Sequence, residues 1–245
     1  AGTVAFNDTL DSAANAASTL NITAGTGNID FDAAVGSAVG GELGAITINS
    51  AATLLADSTV EAASFTQGAG SVLTQFDGAV TLSGLFNFTG QALTLNAALG
   101  SGSTVDVSNA GTFTTAAAGD ITSTGAFTQD GAGTSSLAGD ITTTNANIGF
   151  ATAITLTGDV LMTTGTTGAG NITLADTINA TTAGSQGLTL KAGTGNVVFA
   201  TDTGGSTSVT AHVGDSVALS SIDVTAANIT LRDVTTTGTQ TYTAT

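Results

Sequence analysis

The chain has no cysteine, no proline and no tryptophan, and its only two cations are Lys191 and Arg232. Without cysteine there can be no disulfide, thiolate metal site or thiol nucleophile. Without proline, every residue keeps the backbone N–H that a strand ladder uses. Two cations cannot make the basic patch that phosphates require, which argues against nucleic acid as a partner. Anionic membrane surfaces are disfavoured for the same reason. The formal net charge of −16 reflects this shortage of cations, since only 8% of residues are charged against about a quarter in ordinary domains. No apolar run approaches the length of a membrane-spanning helix, so no membrane insertion is expected. No basic and then apolar leader opens the sequence.

What the sequence does have is repetition. Residues Gly170 to Phe199 contain three apolar-x-apolar triplets, Ile172/Leu174, Leu188/Leu190 and Val197/Phe199. Such alternation is the period-2 mark of a half-buried strand. Gly, Asn, Asp and Ser clusters, which turn the chain, lie between the triplets. The whole stretch aligns without a gap to Gly2–Phe31, at an offset of 168. Val4/Phe6, Leu20/Ile22 and Ile29/Phe31 match the three triplets, and the string Ala24–Asn28 recurs at Ala192–Asn196. Leu43/Ile46/Ile48 match Leu219/Ile222/Val224 at an offset of 176, so insertions are expected at corners. A second duplication relates residues 64–95 to 126–156, with Phe65-Thr66-Gln67 matching Phe127-Thr128-Gln129. A shorter period appears in Gly119-Asp120-Ile121, Gly139-Asp140-Ile141 and Gly158-Asp159-Val160, spaced by 20 and then 19 residues.

About 20 residues holding three short strands and three corners make one turn of a coil. Such a turn buries its inward side chains only when stacked on its neighbours at ~4.8 Å. The expected fold is all-β: one continuous parallel β-helix (β-solenoid) over 1–245, right-handed and three-sided. About twelve rungs would give a rod of roughly 55–60 Å. Helical patterning is nearly absent. The best candidate, Ala13–Ala17, is too short to stand alone and is assigned to a corner. An array of Ig-like modules would need longer repeats and a core Trp or Tyr corner.

Segments such as Gly170–Leu174, Leu188–Phe199 and Thr235–Tyr242 resemble the β-strand repeats of filamentous-haemagglutinin-like large bacterial exoproteins. The resemblance is clearest over 1–50 and 165–245. It implies an extracellular or outer-surface protein of a Gram-negative-type bacterium, adhesive or fibrous.

Candidate chemistry is sparse. His212 stands near Asp215, without a nucleophile in sight. Asp30 and Asp32 share one face of a strand but have no acidic counterpart in the second copy, which carries Val198 and Ala200 there. A carbohydrate-active enzyme would need converging carboxylates, or a cation beside a sugar carboxylate. A glycan- or receptor-binding adhesin module would show exposed aromatics, and Tyr242 is the one polar aromatic. The Gly-rich strings lack the Lys and the helix of a phosphate loop. Asp120, Asp140 and Asp159 are expected to stack at one corner about 5 Å apart, where Ca²⁺ would relieve their repulsion. The reading is therefore a non-catalytic structural subunit or segment of a fibre. Both ends are strand-like, so each is expected to be covered by copies joined head to tail or by flanking repeats of a longer parent chain. The contact would bring Val4 and Phe6 against Thr239, Thr241 and Tyr242.

Overall fold

The computed structural model describes residues 2–199 and 212–245. They form a parallel β-solenoid whose strands pair in parallel with strands of the preceding and following turns. Three ladders run along it, and the chain visits them in a fixed order.

Ladder I begins with the strand Thr3–Phe6 and stacks Val4, Ile29, Leu54, Thr74, Leu93, Phe113, Ser135, Ile154, Ile178, Val213 and Val234. Ladder II stacks Leu10, Val35, Val60, Val80, Leu99, Ile121, Ile141, Met162, Leu190, Val224 and Tyr242, and ends in the strand Gln240–Ala244. Ladder III begins with Leu20–Thr23 and ends with Asn228–Thr230, stacking Leu20, Ile46, Phe65, Phe86, Val105, Phe127, Ile148, Ile172, Val197 and Ile229. Among the described residues, two ladders thus have eleven members and the third has ten.

The triplets place their side chains as their alternation demands. Leu188 and Leu190 are buried, and Thr189 between them is only half-buried. The strand Ile172–Leu174 buries both apolar residues and exposes Thr173. Each inward row makes a continuous core along the axis. Phenylalanine fills much of it: Phe65 stacks on Phe86 at 5.2 Å, and Phe127 lies 5.1 Å from Phe150 one rung on. These are ordinary centroid spacings for offset aromatic pairs.

Through the middle, paired residues are 19 to 22 positions apart, as with Phe65 and Phe86 or Phe113 and Ser135. Rungs are longer toward the ends: Val4 pairs with Ile29, and Ile178 with Val213. The longer rungs leave eleven levels in place of twelve, about 48 Å from first to last at ~4.8 Å per step. Ala13–Ala17 is a corner, with Asn15 and Ala17 at positive φ. Glycine serves mainly to let rungs approach. A side chain on Gly27 would strike the carbonyl oxygen of Gly2, and one on Gly195 would strike that of Gly170. These are matched positions of the duplicated stretch, and Gly25 and Gly193 beside them both take positive φ.

The two copies of that stretch are not in the same phase. Val4, Leu20 and Ile29 stand in ladders I, III and I. Their counterparts Ile172, Leu188 and Val197 stand in ladders III, II and III. The second copy has moved round the solenoid by one ladder. The shorter duplication keeps phase: Phe65 and Phe127 share ladder III, and Leu93 and Ile154 share ladder I.

Candidate functional site

The acidic corner is built on ladder II. The Asp140 N–H donates to the Asp120 carboxylate at 2.8 Å, so these two residues are neighbours on successive rungs. Asp159 is not the third member. Ile141 pairs with Met162, which places Leu161 over Asp140, and the Leu161 N–H donates to the Asp140 carboxylate at 2.8 Å. The Gly-Asp motif has slipped by two residues. A two-residue slip preserves which side chains point inward, so Val160 and Met162 are both buried. The Asp159 carboxylate instead accepts the Gly187 N–H at 2.7 Å. Each carboxylate therefore receives a backbone N–H from the next rung, which stabilises its charge locally. Asp140 and Asp159 line a shallow groove of about 350 Å³ together with Thr189, Ser220 and Ser221. Among the described residues, no group of three or more His, Cys, Asp or Glu side chains could hold a metal ion.

A larger groove of about 470 Å³ lies near the first rungs and is lined by Asn15, Glu42, Glu61, Thr81 and Ser83 among others. Glu42 and Glu61 are the only glutamates of the chain. The pairing of Leu43 with Ala62 sets them one rung apart. The groove is open and acidic, and none of its lining side chains is a cation.

His212 does not meet Asp215. Its Nδ1 lies 3.3 Å from the Asp233 carboxylate, one rung on, as the pairing of Val213 with Val234 requires. Asp233 is largely exposed, so this pair sits at the surface. Asp30 pairs laterally with Ala5 and Leu55 on an outward row, away from the core. The matched position Ala200 lies outside the described residues.

Alternation from Phe65 and Phe127 directs Gln67 and Gln129 inward, and both are buried. The Gln129 amide donates to Asn109 Oδ1 at 2.8 Å and to the carbonyls of Gly131 and Gly133, while its oxygen accepts from Thr152. Gln67 is less well served. Its Oε1 accepts from Thr74 at 2.8 Å, but its buried Nε2 has no hydrogen-bond partner. The repeated Phe-Thr-Gln string carried this signal in the sequence.

The two ends differ from the rest. Phe6, Leu10, Leu20 and Ala24 at one end, and Val217, Ile229, Leu231 and Val234 at the other, pack on the core yet remain partly exposed. Val4 is 37% exposed and Tyr242 is 40% exposed. The strand Thr3–Phe6 pairs only with Asn28–Phe31, and Gln240–Ala244 only with Ser221–Ala226. One edge of each end strand is therefore unpaired by the described residues. The Tyr242 hydroxyl donates to Gln240 Oε1 at 3.0 Å, and partial burial raises its pKa above the usual tyrosine value. Of the expected end-contact residues, Val4 and Phe6 fall on one end, and Thr239, Thr241 and Tyr242 on the other.

No protein-family model, curated protein or solved structure matches this chain. The parallel β-solenoid is consistent with the large exoprotein repeats that the sequence resembles, and is not specific to them. No described helix is long and apolar enough to cross a membrane.

Proposed function

We propose that this chain is a non-catalytic structural protein, a rigid β-solenoid subunit or segment of a bacterial surface or secreted fibre, with copies joined end to end. The observation that carries the reading is the pair of ends: unpaired strand edges flanked by half-exposed core residues at both extremes of one continuous stack. Open edges pair with any compatible edge, and contacts between unlike surfaces propagate as open filaments. We read the three ladders as three sides of a right-handed coil. An extracellular or outer-surface location in a Gram-negative-type bacterium follows from the exoprotein resemblance and belongs to the same proposal. The only exposed large aromatic among the described residues is Tyr242, at an end rather than on a groove. That favours assembly over glycan stacking.

The test is multi-angle light scattering with negative-stain electron microscopy on the purified 245-residue chain. Mass should rise with concentration, and rods should appear in multiples of about 50 Å at ~4.8 Å per rung. A monomer that stays monodisperse at millimolar concentration would refute end-to-end joining.

A further inference from the structure

We propose that the outward face of ladder I binds crystalline water, the surface of ice. Five consecutive rungs form it. The middle residues of their strands stack as Thr94, Thr114, Ser136, Thr155 and Asn179. The residues just before those strands stack beside them as Ala92, Thr112, Thr134, Ala153 and Thr177. Backbone bonds fix this second column: the Leu93 N–H donates to the Thr112 carbonyl, Phe113 to Thr134, Ser135 to Ala153 and Ile154 to Thr177. Seven of the ten positions are threonine or serine, and every rung supplies at least one hydroxyl. The columns repeat at ~4.8 Å along the axis and stand about 6.6 Å apart, two residues of strand rise. The two repeats approach those of the oxygen rows on the prism faces of hexagonal ice. Water held between the side chains in such rows continues a lattice.

The hydroxyls of this face are left to solvent. None of the seven hydrogen-bonds to another described residue. Elsewhere such groups turn back onto the chain, as Thr181 does to the Leu156 carbonyl and Thr194 to that of Gly168. A free hydroxyl donates once and accepts twice, as a lattice water requires of its neighbour. The other two ladders offer no equal to this array. Their outward rows are interrupted by Glu61, Gly100, Leu161 and Asp223 on ladder II, and by Asp106, Gly149 and Val198 on ladder III. On ladder I itself the row runs down through Gln75 and Leu55 to Asp30. Above, it closes at Asn179, whose Oδ1 accepts the Ser216 and Val217 N–H groups.

Charge and area select the occupant. No member of either column is charged, in a chain with 18 acidic residues. Carboxylates stand only around the rim: Asp77 on the rung before, Asp130 in the corner ahead of Thr134, Asp176 beside Thr177, and Asp120, Asp140 and Asp159 round the next corner. A second copy laid on this face would bring its own rim carboxylates against these. Five rungs by about four residues of strand width give roughly 300 Å², well short of the ~800 Å² per partner of a stable protein interface. None of the ten residues is aromatic, so the face has no platform for a sugar ring. An uncharged lattice of hydrogen-bonding groups fits an uncharged array of hydroxyls and methyls. The strands are already ordered by the stack, so adsorption costs little conformational entropy. Single rods suffice for it, and no end-to-end joining is required.

Two measurements on the purified chain test this: uptake of protein into a slowly growing shell of ice, and thermal hysteresis by nanolitre osmometry. The unaltered chain should enter the ice and keep seeded crystals from growing just below the melting point. Thr114→Lys and Thr155→Lys should each lose both signals, because a charge within the columns disrupts the bound layer. Thr122→Lys and Thr142→Lys, on the outward row of ladder II, should keep both. Thermal unfolding by circular dichroism should be the same in all four, which separates lost binding from lost fold. Ala153→Thr adds a hydroxyl beside Thr155 and should widen the hysteresis, a gain that misfolding cannot produce. Exclusion of the unaltered chain from ice, equal losses from both ladders, or retention on an insoluble neutral polysaccharide without ice uptake would overturn the assignment. Light scattering reads the fibre separately. Rods without ice uptake would leave the fibre standing and remove ice binding, and ice uptake by monomers would do the reverse.

Discussion

The two buried glutamines offer a measurement of what polar satisfaction is worth inside this solenoid. Replacing Gln129 with leucine removes the donor for Asn109 Oδ1 and for the Gly131 carbonyl. The Gly133 carbonyl keeps Thr152 as a donor at 2.6 Å. Two acceptors are stranded, one of them on Asn109, which is fully buried. At ~1–3 kcal/mol for each of two buried orphans, the cost is about 2–6 kcal/mol. The double variant Gln67→Leu with Thr74→Val works in the opposite direction. It removes the hydroxyl–oxygen pair together with the Nε2 that has no partner. Replacing both members of a buried pair by apolar groups is close to neutral, and losing an orphan donor gains up to ~2 kcal/mol. Urea unfolding followed by far-UV circular dichroism gives both differences, provided the slopes agree with the parent. The expected order is Gln67→Leu/Thr74→Val at or above the parent, and Gln129→Leu well below it. Should Gln129→Leu prove no costlier than the double change, hydrogen-bond satisfaction would not be what separates these two sites.

Register and electrostatics give two further tests. Leu190→Asp puts a charge into a fully buried row and should cost at least ~4 kcal/mol from lost packing and unpaired burial. Thr189→Asp places a carboxylate beside Asp223 on the outward row and should cost only about 1 kcal/mol. Equal effects on the unfolding midpoint would show the strand to be inverted. Calcium should leave the melting transition where a chelator leaves it, because Asp120, Asp140 and Asp159 each accept a backbone N–H and do not form one cluster. A rise in melting temperature specific to calcium would instead place a cation at that corner.

The fold was legible because its code is local. Ile-Thr-Leu or Val-Val-Phe between turn residues specifies a strand with two side chains in, whatever surrounds it. The corners were legible from glycine, though close approach between rungs explains more of them than positive φ does. What stayed hidden depends on which rung lies beneath. The spacing of Asp140 and Asp159 looked like one rung, yet the pairing of Ile141 with Met162 slips the strand by two, a step that alternation cannot detect. The pairing of His212 with Asp233 rather than the nearby Asp215 follows from rung length, which varies too much near the ends to be read in advance. Gln67 and Gln129 were within reach, since a Phe-Thr-Gln string that buries Phe must bury Gln.

The two duplications show what fixes phase in such a coil. The longer one carries almost purely apolar inward residues, and its copies occupy different ladders. An apolar triplet needs only another apolar triplet above and below, and every ladder supplies that. The shorter duplication carries a buried glutamine in each copy, and its copies occupy the same ladder. A buried amide needs specific partners, such as Asn109 and Thr152 around Gln129. Those partners come from neighbouring strands at set heights, and moving the glutamine by one ladder would separate it from them. Polar core residues therefore pin a module to one ladder, and apolar ones leave it free to turn.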